Sequence, residues 1–315
     1  MRALVTGGAG FIGSHVVDAL VPRGDAVVVL DDLSSGKREN LAAALGTGAT
    51  LIEGSVADTE AVDQAFAEAK PEVVLHLAAQ IDVRRSVTDP VFDLGLNVGG
   101  TINLLEASRA AEVGSFVFAS TGGAIYGEGE GRELPFTEAA ECRPDAPYGQ
   151  SKLAAEGYLG LYRRLYGLET TVLRLGNVFG PRQDPRLEAG VVAIFCGALT
   201  EGRQPTVFGD GRQTRDYVYV GDVADAFVAA STTGGVGPYN VGTGVETSVL
   251  ELGGAIAAAA DASFDPEFAP KRLGEIQRTV LDPSRAESEL GWRSRASLED
   301  GLRATLDAVP SRRSS

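Results

Sequence analysis

Residues 6–13 read Thr6-Gly7-Gly8-Ala9-Gly10-Phe11-Ile12-Gly13, between the apolar run Ala3-Leu4-Val5 and an amphipathic stretch from Ser14 to Leu20. Glycine at 7, 10 and 13 in that setting suits three separate jobs. Gly7 lets the chain turn tightly, Gly10 removes a Cβ that would keep a pyrophosphate off the helix N-terminus, and Gly13 lets the helix lie close on the strand. A glycine pattern alone is a weak signal, because such loops often serve only as turns. Here a second apolar strand, Ala26-Val27-Val28-Val29-Leu30, completes a βαβ unit and ends at Asp31. A carboxylate there accepts both ribose hydroxyls of an adenosine and repels a 2′-phosphate, so the unit reads as a dinucleotide site that favours NAD over NADP.

Outward from this unit, strand-like apolar runs recur at Thr50-Leu51-Ile52, Val73 to Leu77, Phe116 to Ala119 and Thr170 to Arg174. Helical patterns at Thr59 to Glu68 and Val98 to Ala111 alternate with them. Fully apolar strands alternating with helices predict an α/β protein built on a doubly wound parallel Rossmann sheet covered on both faces. Beyond Asn177 Gly, Pro and Arg punctuate the chain, and a smaller α/β substrate-binding C-terminal domain is expected. Tyr217 to Val220 and the helical pattern Asp222 to Ala230 read as a strand and helix returning to the first domain before Tyr239-Asn240-Val241. The expected division is 1–176 with 217–242 for the NAD-binding domain, and 177–216 with 243–315 for the second.

Composition excludes several classes. Lys and Arg number 28 against 43 Asp and Glu, a formal charge of −15 that repels phosphate polymers, so no nucleic-acid partner is expected. Cys142 and Cys196 stand without a Cys-x-x-Cys pair, and His15 and His76 are the only histidines, so neither a metal site nor a disulfide framework is expected. The longest apolar run, Val191 to Cys196, is far short of a membrane span, and the N-terminus shows no signal-peptide pattern. A cytoplasmic protein with no membrane partner is the expectation.

A second chemical signal is Pro147-Tyr148-Gly149-Gln150-Ser151-Lys152-Leu153-Ala154-Ala155-Glu156, where Tyr148 and Lys152 share a helix face. An ammonium beside a phenol favours the phenolate, pulling its pKa from about 10 toward neutrality. Tyr148 then becomes a usable general base. Joined to these are Asp31-Asp32-Leu33-Ser34-Ser35-Gly36-Lys37, His76-Leu77-Ala78-Ala79-Gln80, Ser120-Thr121, Leu173 to Arg182 (Leu-Arg-Leu-Gly-Asn-Val-Phe-Gly-Pro-Arg) and Arg215-Asp216-Tyr217-Val218. Over nearly its whole length the chain resembles the extended short-chain dehydrogenases/reductases, and within them the UDP-sugar 4-epimerases.

The resemblance implies bound NAD, held by Gly7, Gly10, Phe11, Ile12, Gly13, Asp31, Asp32, Ser35, Gly36, Ser55, Val56, Leu77, Ala78, Ala79, Gln80 and Asn97 together with Tyr148 and Lys152. It implies a UDP-sugar held by Thr121, Asn177, Arg186, Val191, Val207, Phe208, Arg215, Arg272 and Glu275, and a homodimer. Arg215 and Arg272 are expected at the diphosphate, and Glu275 stands where an Asp usually holds the uridine ribose. Ser55 departs from the pattern, since the family usually carries there an Asp that reads adenine; Asp58 is the candidate to compensate.

The loop after Val117-Phe118-Ala119 separates sister activities of this family. Dehydratases carry an Asp-Glu pair in it and uronate decarboxylases a Glu, whereas here it reads Ser120-Thr121-Gly122-Gly123-Ala124-Ile125-Tyr126, with no acid. Elimination is disfavoured, and the resemblance then implies NAD-dependent epimerisation at carbon 4. Tyr148 takes the proton of the 4-hydroxyl, helped by Thr121 or, second, Ser120, while hydride passes from carbon 4 to NAD. The 4-keto sugar turns about its diphosphate link and the hydride returns to its other face. The substrate pair is UDP-glucose/UDP-galactose or UDP-glucuronate/UDP-galacturonate; the latter rests on Arg186, whose guanidinium suits a carboxylate. Thr279, small where the family often carries bulk, leaves UDP-N-acetylglucosamine as an alternative. The other alternative, a non-catalytic NAD-binding relative, would lack Tyr148 or Lys152.

Overall fold

The computed structural model describes residues 1–185, 190–272 and 276–309. Seven parallel strands form the central sheet: β1 (Arg2–Thr6), β2 (Ala26–Asp31), β3 (Thr50–Glu53), β4 (Val73–His76), β5 (Ser115–Thr121), β6 (Thr170–Leu175) and β7 (Gly237–Val241). Their spatial order is β7-β6-β5-β4-β1-β2-β3, so the direction of winding reverses between β1 and β4. The expected doubly wound sheet is present. Side chains alternate across it because a strand has a period of two. Ala3 and Val5 point into a core with helix α1 (Phe11–Leu20), whereas Leu4 points into the opposite core with α2 (Thr59–Ala69), α3 (Gly100–Ala110) and α4 (Pro147–Tyr166).

The two-sided burial explains the near-continuous apolar strands. It also sets where a ligand fits, since in such sheets the crevice opens outside the carboxyl ends of the strands at the point of reversal. Thr6 and His76 end β1 and β4 there, side by side.

A third core joins Phe179, Val192, Phe195, Cys196, Leu252 and Leu302. It gathers α5 (Val191–Thr200), α7 (Val249–Ala259) and α8 (Leu298–Asp307); α6 (Val220–Thr233), by contrast, packs on α1. Tyr217–Tyr219 pairs in parallel with Asn177–Phe179 as a ribbon outside the main sheet, and Val218 packs in the first core with α6. One expectation needs correction. Ala286, Leu290 and Trp292, placed by sequence in the second domain, pack in the first core, where the Trp292 indole donates to Asp222 O at 2.7 Å. The amphipathic helix Ser284–Leu290 finds its apolar partner at β7 rather than in the third core. Among the described residues both cysteines are free thiols, no cluster of potential metal ligands occurs, and no helix is long and apolar enough to cross a membrane.

Candidate active site

The glycine turn does what its spacing predicts. Gly7 has φ +70°, and a Cβ there would lie 2.6 Å from Ala78 N; a Cβ on Gly13 would lie 2.1 Å from Gly7 O. The chain can only pass this closely as glycine. A Cβ on Gly10 would meet only Gly7 O, at 3.2 Å, and otherwise enter the cleft. Helix α1 begins behind Gly10 with no side-chain cap and no acid in its first turn, which leaves its leading N–H groups for an anion.

Asp31 closes the turn from the other side. Its Oδ2 accepts from Ala9 N at 2.8 Å and its Oδ1 from Leu33 N at 2.9 Å. Burial pushes this carboxyl up from its ordinary value, and those backbone donors oppose the shift. These elements line an open cleft running from Asp31 to Tyr148 and Lys152. Of the sixteen expected cofactor residues outside the Tyr148/Lys152 pair, Gly36, Gln80 and Asn97 do not line it. Gly36 packs under Asp31, where a Cβ would lie 2.7 Å from Oδ1. Gln80 and Asn97 are buried and bonded to each other, Gln80 N donating to Asn97 Oδ1 at 2.8 Å.

Ser55 lines the cleft, but Asp58 does not compensate for it. Its carboxylate caps α2 by accepting from Glu60 N at 3.0 Å. Two basic residues of the cleft went unassigned in the sequence reading although both sit in quoted motifs: Lys37, paired with Asp184 at 3.2 Å, and Arg182, paired with Asp18 at 2.6 Å. In so acidic a protein these are the local positive charges that an anionic ligand requires.

At the far end, α4 enters on Pro147 at its first position and presents Tyr148 and Lys152 one turn apart. Thr121 stands at the Tyr148 hydroxyl and favours its charged form. Lys152 is buried, its Nζ donating to Ala119 O at 2.9 Å and lying 4.6 Å from the centre of the Phe118 ring. The expected lowering of the phenol is not built into the resting fold: burial pushes Tyr148 up to about 12 against the hydrogen bond from Thr121. Burial likewise brings Lys152 down to about 8. Desolvation dominates both shifts because both charged forms are withdrawn from water.

Ser120, the second candidate hydroxyl, is otherwise engaged. Its Oγ donates to Glu156 Oε1 at 2.5 Å, and Glu156 is bound by Arg174 in a buried pair at 2.6 Å. Of the two hydroxyls only Thr121 acts on the Tyr148 phenol.

The expected substrate residues do not all converge on this cleft. Asn177 Oδ1 is buried with no partner among the described residues and faces Gly123, whose Cβ would lie 3.2 Å away. Arg215 Nη1 donates to Thr214 O at 2.8 Å. Arg272 lies over the Phe208 ring, 3.9 Å from its centre. Phe208 lines a second cavity with Gln213, Lys271 and Gln277. Val207 is 1% exposed within the third core and does not line that cavity, and Val191 is half-buried at the start of α5. Thr279 is buried. Arg186 and Glu275 lie outside the described residues.

Asp216, quoted in a motif but given no role, positions this second region. It accepts from Thr243 N and Oγ1 at 2.8 and 2.7 Å, from Gly244 N at 3.1 Å and from Leu281 N at 3.2 Å. Its own backbone oxygen receives Asn177 N at 2.7 Å. Four donors on a carboxylate 1% exposed tie three segments together beside Arg215.

Known proteins share this arrangement across the whole chain. The chain is 50% identical to a UDP-glucose 4-epimerase of Mycolicibacterium smegmatis, over 98% of each. Its fold superposes on the UDP-glucose 4-epimerase of Thermotoga maritima, solved with UDP-glucose, with a TM-score of 0.94, 45% identity and 98% of each chain covered. For the UDP-glucose 4-epimerase of Thermus thermophilus in complex with NAD the TM-score is 0.90, at 47% identity and again 98% of each. Residues 3–242, which hold the glycine turn, the Tyr148/Lys152 helix and the Asn177 and Arg215 segments, match a single family along their length. The chain belongs to the NAD dependent epimerase/dehydratase family.

Proposed function

We propose that the chain interconverts UDP-glucose and UDP-galactose by NAD-dependent epimerisation at carbon 4. The observation that carries this reading is the Tyr148 hydroxyl beside Thr121 and an anchored Lys152, next to a segment, residues 120–126, that contains no carboxyl group. A site built so can exchange a proton with a sugar hydroxyl and holds no acid in that loop to expel a neighbouring one. The full-length likeness to UDP-glucose 4-epimerases supports the same reading.

The cleft fits a dinucleotide on its own chemistry: an uncapped helix N-terminus behind Gly10, a carboxylate at Asp31 and open space where a Gly10 side chain would stand. Bound there, NAD supplies a hydride acceptor and, on return, a hydride donor. The chain's own residues do the rest. Tyr148 takes and returns the hydroxyl proton, Thr121 fixes the phenol, and Lys152 holds a positive charge at the end of β5. The family likeness assigns the diphosphate to Arg215, Arg272 and Asn177, and we assign the base to Phe208. The uronate pair depends on Arg186, which lies outside the described residues.

The test is incubation of the purified protein with UDP-glucose, with UDP-galactose resolved chromatographically and the absorbance of reduced nicotinamide followed. UDP-galactose should form with no net NADH. Net NADH, or no product from protein that carries NAD, overturns the reading.

We further propose that the working form is a homodimer. Val87, Val91 and Leu94, 62%, 78% and 54% exposed, stand on short helices packed against α4, which itself exposes Tyr158, Leu165 and Tyr166. An exposed apolar face of this kind is self-complementary about a two-fold axis, and a second copy is the partner always at hand.

A further inference from the structure

Asp93 is a buried carboxylate that the mechanism above does not use. It lies on the short helix Pro90–Leu94, 1% exposed. Oδ1 accepts from Gln80 Nε2 at 2.9 Å and from Asn97 Nδ2 at 3.1 Å. Oδ2 is buried and has no hydrogen-bond partner among the described residues. Withdrawing a carboxylate from water with half its lone pairs unmet is expensive, and such groups persist where a neighbouring charge compensates.

The neighbouring groups identify that charge. Asn97 Nδ2 also lies 3.1 Å from Ser151 Oγ, and Ser151 stands directly before Lys152 and donates its hydroxyl to Tyr148 O at 2.9 Å. The hydrogen-bonded path from Asp93 therefore ends on the turn of helix that carries both reacting residues. Other ionisable groups facing Lys152 are Tyr148 and Glu156 on its own helix and His76 from β4. Glu156 is already neutralised by Arg174 from β6, and burial holds His76 well below its ordinary value, hence uncharged near neutral pH. Asp93 is the remaining negative charge without a cationic partner of its own.

We propose that Asp93 is the buried counter-charge of the Tyr148–Lys152 pair, keeping Lys152 an ammonium while Tyr148 exchanges its proton with the substrate hydroxyl. Asp93 acts through Lys152 and touches no substrate, so it is a positioning residue for charge. A negative charge at this place raises the proton affinity of both neighbours, which is the direction of its effect on each. The inference deepens the epimerase reading, and its kinetic arm rests on that reading.

The test is Asp93→Asn in the NAD-loaded protein. Asparagine keeps an acceptor for Gln80 and Asn97 and removes only the charge. The chain has four lysines, Lys37, Lys70, Lys152 and Lys271, so selective ¹³Cε-lysine labelling gives four signals, with Lys152 assigned by Lys152→Arg. The Lys152 titration midpoint should fall by about one unit in Asp93→Asn, the scale of losing one close buried charge. Both limbs of the pH–rate profile should move to lower pH, cutting turnover about fivefold at pH 8 and raising it on the acid limb. A Lys152 midpoint that stays in place overturns the proposal, whatever happens to activity. A profile that drops without moving does the same, because it is what lost packing alone produces. If Asp93→Asn does not fold, Asp93→Ser is read by the same two measurements. The lysine titration needs no turnover, so its failure is distinct from a failure of the epimerase reading.

Discussion

A phenol held near 12 donates hydrogen bonds at pH 7 and takes up no proton. Tyr148 therefore rests protonated, and Thr121 supplies only part of what lowers it; the loaded site must supply the remainder. This part of the chemistry was the least legible in sequence. The spacing of Tyr148 and Lys152 shows that they share a face, but the balance between their attraction and the loss of water depends on how deep α4 sits against β5. Replacing Tyr148 by Phe should leave melting temperature and bound nucleotide near their starting values while epimerisation falls about 100-fold or more, the scale of a lost general base; turnover and the nucleotide released on denaturation measure both. The two adjacent hydroxyls should separate in the same assay. Thr121→Ala removes the partner of Tyr148 and should lower kcat about tenfold or more. Ser120→Ala leaves Glu156 still bound through Arg174 Nε and Nη2 and should cost much less. Equal losses would return the catalytic role to either residue.

Helix α4 is held at its far side by the Glu156–Arg174 pair, whose side chains are 9% and 6% exposed. Arg174 also donates to the Tyr126 hydroxyl at 2.9 Å, and Tyr126 to Asn240 Oδ1 at 2.8 Å, so the pair links α4 with β6 and β7. Removing one member of such a pair strands the other in the core. Glu156→Ala should therefore destabilise the protein by about 3 kcal/mol in urea unfolding; a loss under about 1 kcal/mol would mean that Arg174 finds water or another acceptor. The strands of the sheet were readable because their apolar runs are local. The ribbon of Asn177–Phe179 with Tyr217–Tyr219 was not, since its pairing depends on the chain leaving β6 at Gly176. Gly176 N bonds to Val241 O, and a Cβ at 176 would lie 2.9 Å from Asp216 O. Both partners are distant in sequence, as are those of Asp216, and no local period reports them.

For the whole molecule, net charge and apolar content exclude partners without naming one. The sheet order and the position of the dinucleotide cleft follow from the alternation and the glycine turn, whereas the sharing of residues 284–292 with the first core does not. Assembly is tested at this scale. Val91→Glu with Leu165→Glu should convert a dimer to a monomer in sedimentation velocity; a parent protein that sediments as a monomer at micromolar concentration refutes the homodimer. One further consequence comes from the strand order. β6 ends at Leu175, but its outer neighbour β7 begins only at Gly237. While the chain is being made, β6 stays an open edge until the ribosome has released residues 237–241, with the ribbon, α5 and α6 made in between. A nascent chain stalled in that interval offers an unpaired apolar strand to its neighbours on the same message. Slow synthesis or truncation before β7 should therefore yield aggregates rather than a soluble nucleotide-binding fragment.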